Sequence, residues 1–136
     1  MNFDFIPLLN EKTPRPMVPF SFSDIPREKL FGLVDSGSNS TWIAAEWAES
    51  LNIKLDDLPI RDLTIGNGKY QGRDVDVSLK IPAYKYSYVA TVTFVSNWNH
   101  SHQILGLKGF FDRFIVRVDM NKSKVTLTPT PRRSMR

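Results

Sequence analysis

The stretch FGLVDSGSNSTWIAAEW, Phe31–Trp47, places a carboxylate at the end of an apolar run. Lys29–Val34 has the length and character of a buried strand, and it delivers Asp35. Ser36, Gly37 and Ser38 follow, then Asn39 and Ser40. Glycine two residues after the acid permits a tight loop in which backbone N–H groups face the carboxylate. Hydroxyl and N–H donors favour its charged form. Such an acid can activate water if a second carboxylate lies close enough to share a proton with it. Asp-Ser-Gly by itself is also a common turn, since all three residues favour turns.

Outward from this stretch the chain reads as mostly extended. Met17–Phe22 alternates as a strand does, and Ser23–Arg27 reads as a turn around Pro26. Thr41–Leu51 reads as a helix: Ser40 or Thr41 can cap it, and Ile43, Trp47 and Leu51 recur at spacing four. Gly66-Asn67-Gly68 lies between extended runs and predicts a hairpin, with Asn-Gly at the centre of a type I′ turn. Tyr70–Ile81 and Tyr86–Val95 alternate, the second with aromatic and β-branched residues throughout. Ser96–Gln103 is a polar loop, and Ile104–Gly106 is an apolar step ending in glycine. Lys108–Phe114 has room for one or two helical turns, and Ile115–Val118 with Lys124–Leu127 reads as a closing hairpin. Phe3–Leu9 holds at most one short strand.

Bulk composition narrows the class. With 136 residues, 41% hydrophobic and 24% charged, the chain suits one globular domain. The net charge of +4 owes part of its excess to the tail Pro131–Arg136, and no basic stripe interleaves with aromatics, so no nucleic acid is expected as a partner. The chain has no cysteine, which excludes disulfides and thiolate metal sites. His100 and His102 lie in a polar loop without an acid pattern beside them, and a solvated loop is expected rather than a metal site. Asp74 and Asp76, on the polar face of an alternating strand, read as solvated, as do Glu46 and Glu49. Neither a signal peptide nor a membrane-spanning run is recognisable, so the expected location is cytoplasmic.

Three segments in order carry a resemblance. LVDSGSNSTWI resembles the active-site motif of aspartic proteases, ILGLKGFF at Ile104–Phe111 is similar to the apolar-apolar-Gly step of the single-domain retropepsin-like members, and FIVRVDMNKSKVTLTP at Phe114–Pro129 resembles the closing hairpin of pepsin-type lobes. The resemblance covers roughly residues 19–129, with 1–18 an N-terminal extension or strand and 130–136 a basic tail. It implies an all-β, closed acid-protease barrel with one or two short helices, acting as a homodimer without cofactor or metal. It implies Asp35 as the catalytic carboxylate, with Ser36, Gly37 and Ser38 supporting its loop; Ser36 stands where a threonine is usual and would tie two loops together across the dimer. A serine at Ser38 can hydrogen-bond the carboxylate, so Ser38→Ala is expected to move the acid limb of the pH–rate profile upward. Asn39 and the flap, Ile65, Gly66, Asn67, Gly68 and Tyr70 within Ile65–Gly72, would contact a polypeptide substrate, and Leu105 and Gly106 would pass beside the catalytic loop.

The chain holds a single Asp-Ser-Gly. Two carboxylates about 3 Å apart cannot both be ionised and therefore share a proton. One chain supplies one of them, so a two-fold dimer is expected to supply both. The alternatives are a catalytically silent module that keeps the fold to bind peptide or to dimerise and, drawn by the basic tail, a nucleic-acid-binding barrel.

Overall fold

The computed structural model describes residues 1–131; most of the basic tail expected at 130–136 lies outside the described residues. The strands are β1 Asn2–Asp4, β2 Ile6–Pro7, β3 Pro14–Arg15, β4 Met17–Phe22, β5 Leu30–Val34, β6 Thr41–Ala44, β7 Arg61–Ile65, β8 Gly68–Ile81, β9 Tyr86–Val95, β10 Gln103–Leu105, β11 Phe114–Asp119 and β12 Lys124–Pro129, with one α-helix, α1, at Glu46–Ser50. The order β4-β5-β10-β6-β9-β8 closes on itself because β8 also pairs with β4 through Ser21↔Lys80 and Phe22↔Leu79. The result is a six-strand barrel with β7 extending it as a hairpin on β8. Closure leaves no free edge around the ring.

The alternating strands obey their pattern. In β4, Val18, Phe20 and Phe22 point into the barrel, where they meet Val77, Leu79 and Ile81 of β8 and Ala90, Val92 and Phe94 of β9. A separate three-stranded sheet, β1-β12-β11, adds Phe3, Val125, Leu127 and Phe114 to the same core. Residues 2–4 of the N-terminal extension thus belong to the closing sheet, and residues 6–15 form a small hairpin of their own, β2 on β3. A second apolar cluster lies outside the barrel: Trp42, Ala44, Leu63, Val95, Trp98 and Ile104, with Leu33, Ile65 and Tyr70 packed against it. Among the described residues, no helix is long and apolar enough to cross a membrane.

Two local expectations are corrected. The helix expected over Thr41–Leu51 shrinks to α1, and its first four residues form β6, parallel to β9 and touching β10 through Ile104↔Trp42. All four are buried, with Ile43 in the barrel core and Trp42 and Ala44 in the outer cluster. A strand covered on both faces shows an unbroken apolar run, which spacing alone does not separate from a helix. Ala45 precedes α1 without a side-chain cap, so neither Ser40 nor Thr41 serves as one. Within Lys108–Phe114, residues 109–113 form turns rather than an α-helix, and Phe114 already opens β11. Gly109 interrupts the segment at φ +94°, where its Cα lies so close to the barrel that a Cβ would stand 2.6 Å from the Thr91 carbonyl.

Candidate active site

Asp35 sits where β5 leaves the barrel. Its N–H donates to the Leu105 carbonyl at 3.0 Å, continuing the parallel pairing of Leu33 with Ile104 and Val34 with Leu105. The chain then reverses: the Ser38 N–H donates to the Asp35 carbonyl at 3.2 Å, and the Gly37 N–H donates to Asp35 Oδ1 at 2.9 Å. A Cβ on residue 37 would stand 3.1 Å from that oxygen, so glycine is what lets the amide approach the carboxylate. The carboxylate is half-buried, while Ser36, Gly37 and Asn39 are exposed.

The loop is clamped from below by the segment after β10. Leu107 N–H donates to the Ser38 carbonyl at 2.8 Å and Lys108 N–H to the Asn39 carbonyl at 3.1 Å. Between them Gly106 has no room for a side chain: a Cβ would lie 2.1 Å from the Ser40 carbonyl oxygen and 2.7 Å from that of Ser38. Its own N–H donates to Thr41 Oγ1 at 3.2 Å, and that hydroxyl donates to the Lys108 carbonyl at 2.9 Å. Leu105 and Gly106 therefore lie beside the Asp35 loop.

Ser38 is placed differently from the expectation. Its hydroxyl is buried and donates to the Ser40 carbonyl at 2.7 Å, not to Asp35. The serine supports the loop from within, and the carboxylate takes its hydrogen bond from the Gly37 amide.

The residues expected to form a flap lie on the β7–β8 hairpin and divide into two groups. Ile65 and Tyr70 lean on the outer apolar cluster, which also receives Leu33, two residues before Asp35. The Tyr70 ring lies 6.0 Å from Trp42 and 5.4 Å from Trp98, centroid to centroid. Gly66 and Asn67 form the exposed tip beyond them. The closing pair is Ile65↔Gly68, so the two central turn residues are Gly66-Asn67 rather than Asn67-Gly68. Of these only Gly66 has positive φ, 53°, the pattern of a II′ turn.

Sequence reading missed a polar cluster behind the loop. Asp74, expected to be solvated, pairs through Oδ2 with Arg61 Nε at 3.3 Å and through Oδ1 with the Thr93 hydroxyl at 2.7 Å. Thr93 lies 3.3 Å from Ser40 Oγ. The legible signal was that Asp74 and Asp76 alternate on one strand as Thr91 and Thr93 do on the next; the register sets Asp74 against Thr93 and Asp76 against Thr91.

Two concave regions flank this assembly, and neither includes Asp35. A groove of about 790 Å³ follows the β7–β8 hairpin past Asp62, Thr64, Lys69 and Gln71, and a recess of about 550 Å³ lies between the N-terminal hairpin and the loop bearing Trp98, His100 and His102. His100 is exposed and His102 half-buried, and both rings lie edge-to-face against Trp98, with centroids 4.6 and 6.2 Å away. Burial, then the neighbouring His100, pushes the His102 pKa down, against a smaller upward pull from Glu11. In the barrel core, burial raises the Tyr88 hydroxyl far above the usual phenol range, reinforced by Asp112 and Tyr86 and opposed by Arg113. Among the described residues, no group of three or more His, Cys, Asp or Glu side chains could hold a metal ion.

With this geometry in place, the fold has clear counterparts. The retropepsin-like aspartic protease from Rickettsia conorii superposes with a TM-score of 0.59 over 92% of this chain and 97% of that one, at 17% identity. The retroviral protease-like domain of Ddi1 from Leishmania major superposes with a TM-score of 0.60 over 91% of this chain and all of that one (100%), at 13% identity. No family model and no curated protein matches the sequence. The chain has the fold of the retropepsin-like aspartic proteases, all-β and closed as a barrel.

Proposed function

We propose that the protein is an aspartic endopeptidase that hydrolyses peptide bonds with one Asp35 from each subunit of a homodimer. The observation that carries this reading is the Asp35 loop: a carboxylate at the end of β5, held by the Gly37 amide and clamped by Gly106–Lys108, in a chain with this fold. One such loop per chain favours a site completed by a second copy.

In that assembly the two carboxyl groups hold one proton between them. The ionised one removes a proton from water as the water oxygen bonds to the peptide carbonyl carbon. The protonated one donates to the carbonyl oxygen, giving a neutral tetrahedral diol. Collapse of the diol returns a proton to an aspartate, and the departing nitrogen takes a proton as the C–N bond breaks. Gly37 N–H donates to Asp35 Oδ1, and Ser36, exposed beside it, would meet its counterpart in the second subunit. Asn39 and the flap, Ile65 to Gly68 with Tyr70, take the extended substrate mainly through main-chain hydrogen bonds.

The test is cleavage of a diverse peptide library at pH 4–7 by wild type and Asp35→Asn, with the oligomeric state measured by sedimentation. Cleavage by the wild-type dimer and none by the variant supports the reading. A folded wild type that cleaves nothing replaces it with a peptide-binding or dimerisation module on the same fold.

A further inference from the structure

Ser40 stands two residues past the catalytic turn, and its buried hydroxyl begins a chain of polar contacts leading to the foot of the flap. Ser40 Oγ accepts the indole N–H of Trp42 at 2.9 Å and meets Thr93 Oγ1 at 3.3 Å. Thr93 has one hydroxyl hydrogen, and its shortest contact is with the Asp74 carboxylate, at 2.7 Å. A carboxylate is the stronger acceptor, so the Thr93 hydrogen goes chiefly to Asp74, and the longer approach to Ser40 Oγ keeps the two hydroxyls in contact. Arg61 spans the arrangement, with Nε on Asp74 Oδ2 at 3.3 Å and Nη2 within 3.2 Å of Thr93 Oγ1 and 3.4 Å of Ser40 Oγ. Trp42, Ser40, Thr93 and Asp74 thus form one contiguous polar relay that ends on the acid.

Its members come from separate parts of the fold. Arg61 opens β7 opposite Gly72, and Asp74 and Thr93 face each other across β8 and β9. A Cβ at Gly72 would fall 2.5 Å from the Thr93 side chain and 2.9 Å from that of Leu63, so the hairpin settles onto Thr93 only because residue 72 is glycine. Ser40 and Thr93 are 5% and 1% exposed. Burying hydroxyls there is costly unless they are satisfied, and the relay satisfies both.

We propose that Asp74 is a positioning residue which, through Thr93 and Arg61, seats the foot of the flap against Ser40 and so sets the flap relative to the catalytic loop. Its effect on turnover rests on the peptidase reading; the mechanical coupling does not. The experiment compares the full chain with Asp74→Asn, Thr93→Val and the double variant. The first two are close in shape to the originals, and Asp74→Glu tests rescue.

Three readouts are taken: the Trp42 indole N–H resonance, amide hydrogen exchange over 61–72, and kcat and KM on a cleaved peptide. Expected are a moved Trp42 resonance and exchange in the hairpin faster by about fivefold in each single variant. The expected fall in kcat is about tenfold with KM little changed, with partial recovery in Asp74→Glu. The double variant loses no more than the worse single, since both break one relay. A Trp42 resonance and flap exchange that stay put in folded Asp74→Asn and Thr93→Val overturn the proposal. A wild type that cleaves no peptide overturns the peptidase reading alone, and resonance and exchange still judge the coupling.

Discussion

From Asp35 to Asn39 the chain is tied to 105–108 by three main-chain hydrogen bonds, and a single added carbon at Gly106 would lie 2.1 Å from a carbonyl oxygen. At the flap tip a Cβ on Gly66 would meet nothing within 4 Å, and beyond Thr64 each limb of the hairpin pairs only with the other. One loop is specified from every side; the other is held at its foot and along one apolar face. On the peptidase reading, that division suits a site in which a proton moves between atoms at fixed separation while a chain of variable sequence enters and leaves. Preorganisation belongs where charge develops, and low local stability belongs where the structure opens.

The largest expected effect lies at the fixed pole. Asp35→Asn keeps an oxygen for the Gly37 amide, so the loop stays in place and the variant melts within about 1 kcal/mol of wild type. It cannot take or hand on the proton, and cleavage falls by about 10³-fold or more. A variant that keeps wild-type turnover would move the chemistry away from this loop.

The two glycines then measure the contrast directly. Gly106→Ala forces backbone apart at the catalytic loop and costs about 3 kcal/mol or more, read from the urea midpoint. Gly66→Ala meets no atom and carries only the strain of φ +53°, about 1–2 kcal/mol. Equal losses at the two positions would mean that the flap tip is as tightly packed as the loop.

Ser38→Ala is of the same order as Gly66→Ala. It removes a buried hydrogen bond to the Ser40 carbonyl and costs about 1–2 kcal/mol. Because that hydroxyl points away from Asp35, the acid limb of the pH–rate profile stays where it is in wild type, contrary to what the sequence motif implies. An upward shift of the limb would show the hydroxyl turning to the carboxylate in the assembled enzyme.

The turn after Asp35, the alternating strands β4, β8 and β9 and the β7–β8 hairpin were legible because each depends on a local pattern: a run ending in Asp-Ser-Gly, a period of two, a glycine-rich turn. What stayed hidden depends on partners distant in sequence. Thr41–Ala44 looks helical until β9 and β10 are seen on either side of it. Ser38 could donate to several acceptors, and only the fold of 38–40 selects the Ser40 carbonyl. Asp74 looks solvated on its own strand; its pairing with Thr93 and Arg61 appears once three strands are in register.

The smallest effect concerns the outer wall of the apolar cluster on which the flap rests. His102 is partly buried against Trp98, with His100 5.4 Å away and Glu11 pulling weakly the other way. The folded chain therefore favours the neutral ring, and its pKa lies below the ordinary 6.5 that the unfolded chain keeps. Between those two values the unfolded state binds more protons than the folded one. Stability is full above the ordinary value and is lost as pH falls through this window. The slope from one such group stays below about 1.4 kcal/mol per pH unit. His102→Gln should flatten it in urea midpoints taken between pH 5 and 7.5, leaving the catalytic loop's contribution unchanged. A wild-type slope that survives the substitution would transfer the effect to other groups. A loss of flap protection as well as of stability would tie this wall to the hairpin it supports.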